Sequence, residues 1–203
     1  MVKLVCGIGI NNADYTTSLR EELPKVNGKR KYRILWACPF YKLWASMLQR
    51  CYSEKRLIKD PSYVGCSVHP DWHRFMNFRS WMEKQDWEGM ELDKDILFEG
   101  NRVYGPDTCV FVDHHVNTFL INCAASRGDY PVGVHLHKEC GKFVALIRDF
   151  RIKKQKYLGI FDTAEEAHQC YVLAKHGLAM DLASIQKDRR VAKALISWYA
   201  IHK

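Results

Sequence analysis

Apolar residues recur at helical spacing from Pro39 onward: Phe40, Trp44, Met47, Leu48 and Cys51 fall on one side of a 3.6-residue repeat. Pro39 stands where the start of a helix tolerates it. A second amphipathic run follows Asp71, with Trp72, Phe75, Phe78 or Arg79, and Trp81-Met82 on one face and Asp71 placed to cap the first turn. Tyr63 to Val68, between the two, is expected to form a short strand. Aromatic residues at this spacing are read as core packing rather than as a platform for stacking bases.

Upstream, Leu4 to Ile10 is strand-like but broken by Gly7, Gly9 and the Asn11-Asn12 pair. Residues 16–34 are polar and contain Pro24, Gly28 and the Lys29-Arg30-Lys31 cluster, which suggests an exposed arm or linker, with nucleic-acid contact the lesser alternative. Downstream, Leu92 to Leu97 and Thr108 to Val112 are expected as strands, with turns at Gly100-Asn101 and Gly105-Pro106 and a helix starting near Asp113. From Tyr130 three short strands are expected at Val132 to Lys138, Lys142 to Asp149 and Lys156 to Ile160. Asp162-Thr163-Ala164-Glu165 then supplies a capping box for a helix ending near Gly177, and a last amphipathic helix is expected at about residues 187–201. The boundary between central and C-terminal modules is placed near Ala125 to Asp129.

Charge changes this picture. The 203-residue chain carries a formal net charge of +8, which favours a polyanionic partner because Lys and Arg contacts to phosphate release condensed counterions. Eight cysteines are scattered singly without a CxxC pair, so they are read as reduced thiols. Cys51 with Cys66, and His135 with His137, match structural zinc spacing poorly, and no structural zinc is expected. Leu4 to Ile10 is too short and too lightly flanked for a signal peptide, and no apolar stretch reaches membrane-spanning length, so a soluble, intracellular protein without a membrane partner is expected.

A small nuclease needs a hard cation beside the scissile phosphate and a base to activate water. Asp93 and Asp95 would share one face of the first central strand, and Asp113 and Asn117, four apart, would share one face of the helix. The segments CPFYKLWASMLQRCY, DWHRFMNFRSW and LDKDILFEGNRVYGPDTCVFVDHHVN, within residues 36–120, resemble the HNH (His-Me finger) endonucleases of bacteriophages, including free-standing homing enzymes. The resemblance implies a ββα-metal module and hydrolysis of phosphodiester bonds in duplex DNA with Mg²⁺ or Mn²⁺. It places Asp93 at the first metal-ligand position, Lys94 where the family has its catalytic His, Cys109 at the middle Asn and Asn117 at the helix ligand. Asp113 is a further candidate ligand.

Lysine, with a reference pKa of about 10.4, is a poor base unless burial or charge depresses that value. Three readings therefore stay open. Asp95 or His114 supplies the base, Lys94 acts electrostatically while a metal-bound hydroxide attacks, or only the scaffold of a nuclease remains. His115 is read as a bystander.

In the C-terminal strands Lys138, Lys142, Arg148, Arg151, Lys153, Lys154 and Lys156 face only Glu139 and Asp149 as acidic residues. Alternation would turn Val134, Phe143, Ala145, Ile147 and Leu158 toward the following helix, and the basic residues with His135 and His137 outward. Residues 133–175 resemble the ethylene-response-factor (Apetala-like) DNA-binding domain through Gly133-Val134, Gly141-Lys142, Ile147-Arg148-Asp149, Leu158-Gly159 and Phe161 to Ala167. That family reads DNA with Arg and Trp on its sheet. Here His135 and His137 stand at Arg positions, Phe143 and Tyr157 at Trp positions, and Leu146 replaces a polar residue, so the sequence preference does not transfer.

The expected architecture is α+β: an N-terminal strand and basic arm (1–35), a central HNH-like ββα-metal module with flanking helices (36–125), and a C-terminal three-stranded antiparallel sheet packed on a helix (126–203). The expected function is that of a phage endonuclease in the cytoplasm of an infected bacterium. The alternative is an inactive DNA-binding regulatory, accessory or host-inhibiting protein on the same scaffold.

Overall fold

The computed structural model describes residues 4–120 and 129–199. They form a mixed α+β protein that divides into two compact units, one within Met1–Glu88 and Glu99–Phe111, the other within Gly89–Phe98 and Val112–Lys203. The module boundary expected near Ala125 to Asp129 falls largely on residues 121–128, outside the described residues.

The first unit opens with a long antiparallel ribbon, β1 (Ser18–Val26) and β2 (Lys29–Ala37). The segment expected as an exposed arm or linker is exposed, but as a regular hairpin. Its turn is Asn27-Gly28, both at positive φ (53° and 73°), the backbone that a two-residue hairpin with right-handed strand twist requires. Leu4 to Ile10 also departs from expectation. Gly9 N–H returns to the Val5 carbonyl at 2.8 Å, closing a tight loop, and Ile10 makes an isolated bridge to Arg74. Gly9 is close under the core: a Cβ there would lie 2.4 Å from Leu48 and 2.9 Å from the Trp44 ring.

Helix α1 (Pro39–Tyr52) starts at its proline as expected, and α2 (Glu54–Lys59) follows. The expected strand over Tyr63 to Val68 shrinks to β3 (Ser67–Val68), because Pro61–Tyr63 winds into a 3-10 turn and Gly65 reverses the chain at φ +81°. Asp71 does not cap the next helix. Pro70–His73 forms its own 3-10 turn, and α3 (Phe75–Met82) begins after Arg74. Trp44, Met47, Leu48, Trp72, Phe75 and Phe78 are all at most 1% exposed and form the core, so the aromatic stripe packs the interior. Trp44 Nε1 donates to the Trp72 carbonyl at 2.6 Å and ties α1 to the turn before α3.

Strand β4 (Glu91–Asp93) is shorter than the expected Leu92 to Leu97. It stops because Asp93 Oδ1 accepts the backbone N–H groups of Asp95 and Ile96, both at 2.7 Å, which bends the chain into a turn. Strand β5 (Val103–Tyr104) runs parallel to β3, β6 (Val110–Val112) precedes Asp113, and α4 (His114–Leu120) follows.

The C-terminal sheet is antiparallel in the order β7 (Val134–His137), β8 (Lys142–Asp149), β9 (Lys154–Phe161). Helix α5 (Ala164–Ser184) packs on it, held at its start by Thr163 Oγ1 accepting from Glu166 N–H and the Glu166 carboxylate accepting from Thr163 N–H. The helix continues past Gly177, its expected end. Leu178, Ala179, Leu182 and Ala183 resume an i, i+4 apolar face that packs on α6 (Arg189–Trp198) through Val191 and Leu195. Gly133 permits the close approach of β7 to α5: it sits at φ +81°, and a Cβ would lie 2.0 Å from the Tyr171 ring.

Candidate functional sites

Cross-strand partners in an antiparallel sheet share a face, so the register fixes what the β7–β9 sheet presents. His135 pairs with Val144, His137 with Lys142, Leu146 with Tyr157 and Arg148 with Gln155. Strand alternation then puts His135, His137, Lys142, Arg148 and Tyr157 together on the face away from α5. All five are exposed. The other face carries Val134, Ala145 and Ile147, and α5 covers it.

The remaining basic candidates lie elsewhere. Lys138 and Lys153 are in the two connecting turns, Lys153 at φ +55°. Lys154 and Lys156 pair with Asp149 and Ile147, on the side of the sheet that faces α5, and Lys156 lines a small cavity of about 220 Å³ with Leu158, Leu178 and Asp181. This departs from the expected outward stripe. A shift of register between Ala145 and Leu146 resets the partner strand, so basic residues close in sequence divide between two faces.

Arg151 is drawn into structure. Its guanidinium donates to both Asp149 oxygens at 2.9 and 2.6 Å and to Asp181 Oδ2 at 2.6 Å, joining the β8–β9 turn to α5. Hydrogen bonds from Arg151 hold the Asp149 carboxyl down at about 2, below its ordinary 3.8. A carboxyl whose pKa is lowered by folding stabilises the fold above its unfolded value and ceases to do so as pH falls through the folded one. Acid unfolding of wild-type protein, followed by circular dichroism, is therefore expected to have a component between about pH 4 and pH 2. Asp149→Asn should be less stable at pH 7 and flatter over that window; an unchanged acid profile contradicts this role.

The strand and helix carrying the proposed nuclease residues make a different cluster from the expected one. Asp113 Oδ1 accepts from the backbone N–H of His115 (2.7 Å) and Val116 (3.0 Å), so it caps α4. This turns His114 and Asn117, three residues apart on the helix, toward Glu91 on β4. Asn117 Nδ2 donates to Glu91 Oε2, and His114 Nδ1 lies 2.9 Å from Glu91 Oε1. The bonds from Asn117 and then His114 lower the Glu91 pKa. A carboxylate only accepts, so Nδ1 of His114 carries a proton, and in the neutral ring Nε2 is the free base.

Asp93 engages its own turn, and burial raises its carboxyl. Lys94 is buried, with Nζ 2.6 Å from Asp95 Oδ1. Both groups are thereby held in an ion pair. His115 packs near the Phe150 ring at 6.5 Å, and Cys109 is buried.

Mg²⁺ and Mn²⁺ ask for several convergent oxygen ligands. Oδ1 of Asp93 and of Asp113 already accept two backbone N–H groups each, and Asn117 turns its NH₂ to Glu91. Among the described residues no three His, Cys, Asp or Glu side chains gather into a metal-holding group.

Sequence reasoning missed Glu91. The signal was present: Glu91 is two residues before Asp93 and so on the same face of β4. The chain was compared with protein families, curated proteins and solved structures, and matches none of them.

Proposed function

We propose that the protein binds duplex DNA through the open face of its C-terminal sheet. One observation carries this reading: His135, His137, Lys142, Arg148 and Tyr157 share one exposed face whose reverse is sealed by a helix. Three strands about 4.8 Å apart present a face roughly 10 Å across, which suits a major groove about 12 Å wide. Arg148 offers a bidentate fork to guanine, Lys142 a point charge to phosphate, and the imidazoles further donors to base edges. The resemblance of residues 133–175 to the ethylene-response-factor type supports the same use.

The test is fluorescence anisotropy of the whole protein with a labelled 30-base-pair duplex over a salt series. Binding should weaken linearly in log–log form, by about 0.9 in slope for each phosphate contacted. Absence of binding at low salt across unrelated duplexes would overturn the reading.

A second reading, phosphodiester hydrolysis, draws on the Glu91–His114–Asn117 cluster. The carboxylate orients His114 and favours the imidazolium formed when Nε2 takes a proton from water, and the Asn117 amide fixes the carboxylate. On this reading the base is His114, and Lys94 and Asp95 balance charge. Supercoiled plasmid should be nicked, with His114→Ala slower by about 10²-fold or more and Glu91→Gln slower to a smaller extent. Plasmid left intact by wild-type protein with Mg²⁺, with Mn²⁺ and with chelator would leave the duplex-binding alternative alone.

A further inference from the structure

The β1–β2 ribbon has no use in either reading, and its construction is unusual. Two strands of nine residues each pair with one another, and among the described residues no other element packs extensively on them. An isolated two-stranded hairpin is marginal in water, and an open strand edge invites unwanted pairing. Its apolar side chains are left exposed by the described residues: Leu19, Tyr32, Ile34, Leu35 and Trp36 are 46–63% exposed.

The charge on the ribbon is one-sided. Residues 18–37 contain six Lys and Arg but only Glu21 and Glu22. Glu21 is bound by Arg33, and Glu22 lies 3.8 Å from Arg30. Arg20, Lys25 and Lys31 are exposed and have no acidic partner among the described residues. Lys25, Arg30 and Lys31 stand within four residues of the Asn27-Gly28 tip.

We propose that this ribbon is a second duplex-DNA contact, lying along the groove with its basic side chains on the flanking phosphates. Dimensions and charge choose this occupant. Nine residues at about 3.4 Å span roughly 30 Å, close to one helical turn of B-DNA, and the major groove admits a two-stranded ribbon. A second copy of the chain fits worse, because six basic and only two acidic residues give each ribbon an excess of positive charge that would repel its twin.

The experiment compares the wild-type 203-residue chain, Arg20→Glu/Lys25→Glu/Lys31→Glu and, as a gentler variant, Lys25→Gln/Lys31→Gln. All three bind the labelled duplex at several salt concentrations, with circular dichroism as the folding check. Three lost phosphate contacts should lower the log–log salt slope by about 2 to 3 and weaken binding about 10–100-fold near 0.1 M salt, equally on unrelated sequences. The double variant should show a slope change near 2.

Unchanged affinity and slope in the folded variants overturn the proposal. So does a loss confined to single-stranded DNA or RNA, or a loss of self-association with duplex binding intact. Lys142→Glu/Arg148→Glu in the sheet separates the two ideas. If that pair alone abolishes binding, the ribbon proposal fails and the sheet reading stands; if only the ribbon variants lose affinity, the sheet reading fails and the ribbon stands.

Discussion

Lys142→Glu/Arg148→Glu is expected to weaken duplex binding by about two to three orders of magnitude near 0.1 M salt while the protein stays folded. An arginine reading a base edge contributes about 1–3 kcal/mol, and reversing the sign of a phosphate-contacting lysine replaces attraction with repulsion. The two sites together give about 3–4 kcal/mol, or roughly a 10²–10³-fold change. Both side chains are exposed on the open face. The Lys142–Asp162 ion pair, at 2.7 Å, joins exposed groups and adds little to stability. Lys156→Glu, on the side facing α5, should have a much smaller effect. Arg151→Glu should instead disturb folding, since it leaves Asp149, which is 3% exposed, without its partner. Equal losses from all these substitutions would show that diffuse charge, not the sheet face, governs binding.

These contrasts mark what the sequence carried. Alternation and turn residues were strong in the last third, so the three strands, the helix after Thr163 and the outward pair His135 and His137 could be read directly. The division of the basic residues between two faces could not, because it depends on a register shift beside Ala145 that no composition signal marks. In the ribbon the Asn27-Gly28 signal was legible but outweighed by polarity: strands exposed on both faces lack the apolar alternation by which a half-buried strand is recognised. At β4 the carboxylates looked interchangeable in sequence. Their roles separate only when backbone donors claim Asp93 and Asp113 and leave Glu91 to meet His114 and Asn117. Backbone satisfaction, not side-chain chemistry, decided which acid became available.

The largest stability effect is expected at Trp44. The side chain is fully buried, touches the Tyr41 and Phe75 rings at centroid distances of 5.6 and 5.5 Å, and bonds the Trp72 carbonyl. Trp44→Ala removes the indole, at about 3–5 kcal/mol including the cavity left behind. It also leaves the Trp72 carbonyl without its donor, which adds about 1 kcal/mol or more in a buried setting. The total, about 4–6 kcal/mol, reaches the lower end of the stability of an ordinary domain, about 5–15 kcal/mol. Urea denaturation should therefore show the first unit largely unfolded or shifted to a much lower midpoint. Trp44→Phe separates the two terms: it keeps most of the apolar volume but not the N–H, so its cost should be clearly smaller. If Trp44→Ala moved the midpoint no further than Trp44→Phe, the packing that seats α1 against the turn before α3 would not be the core of this unit.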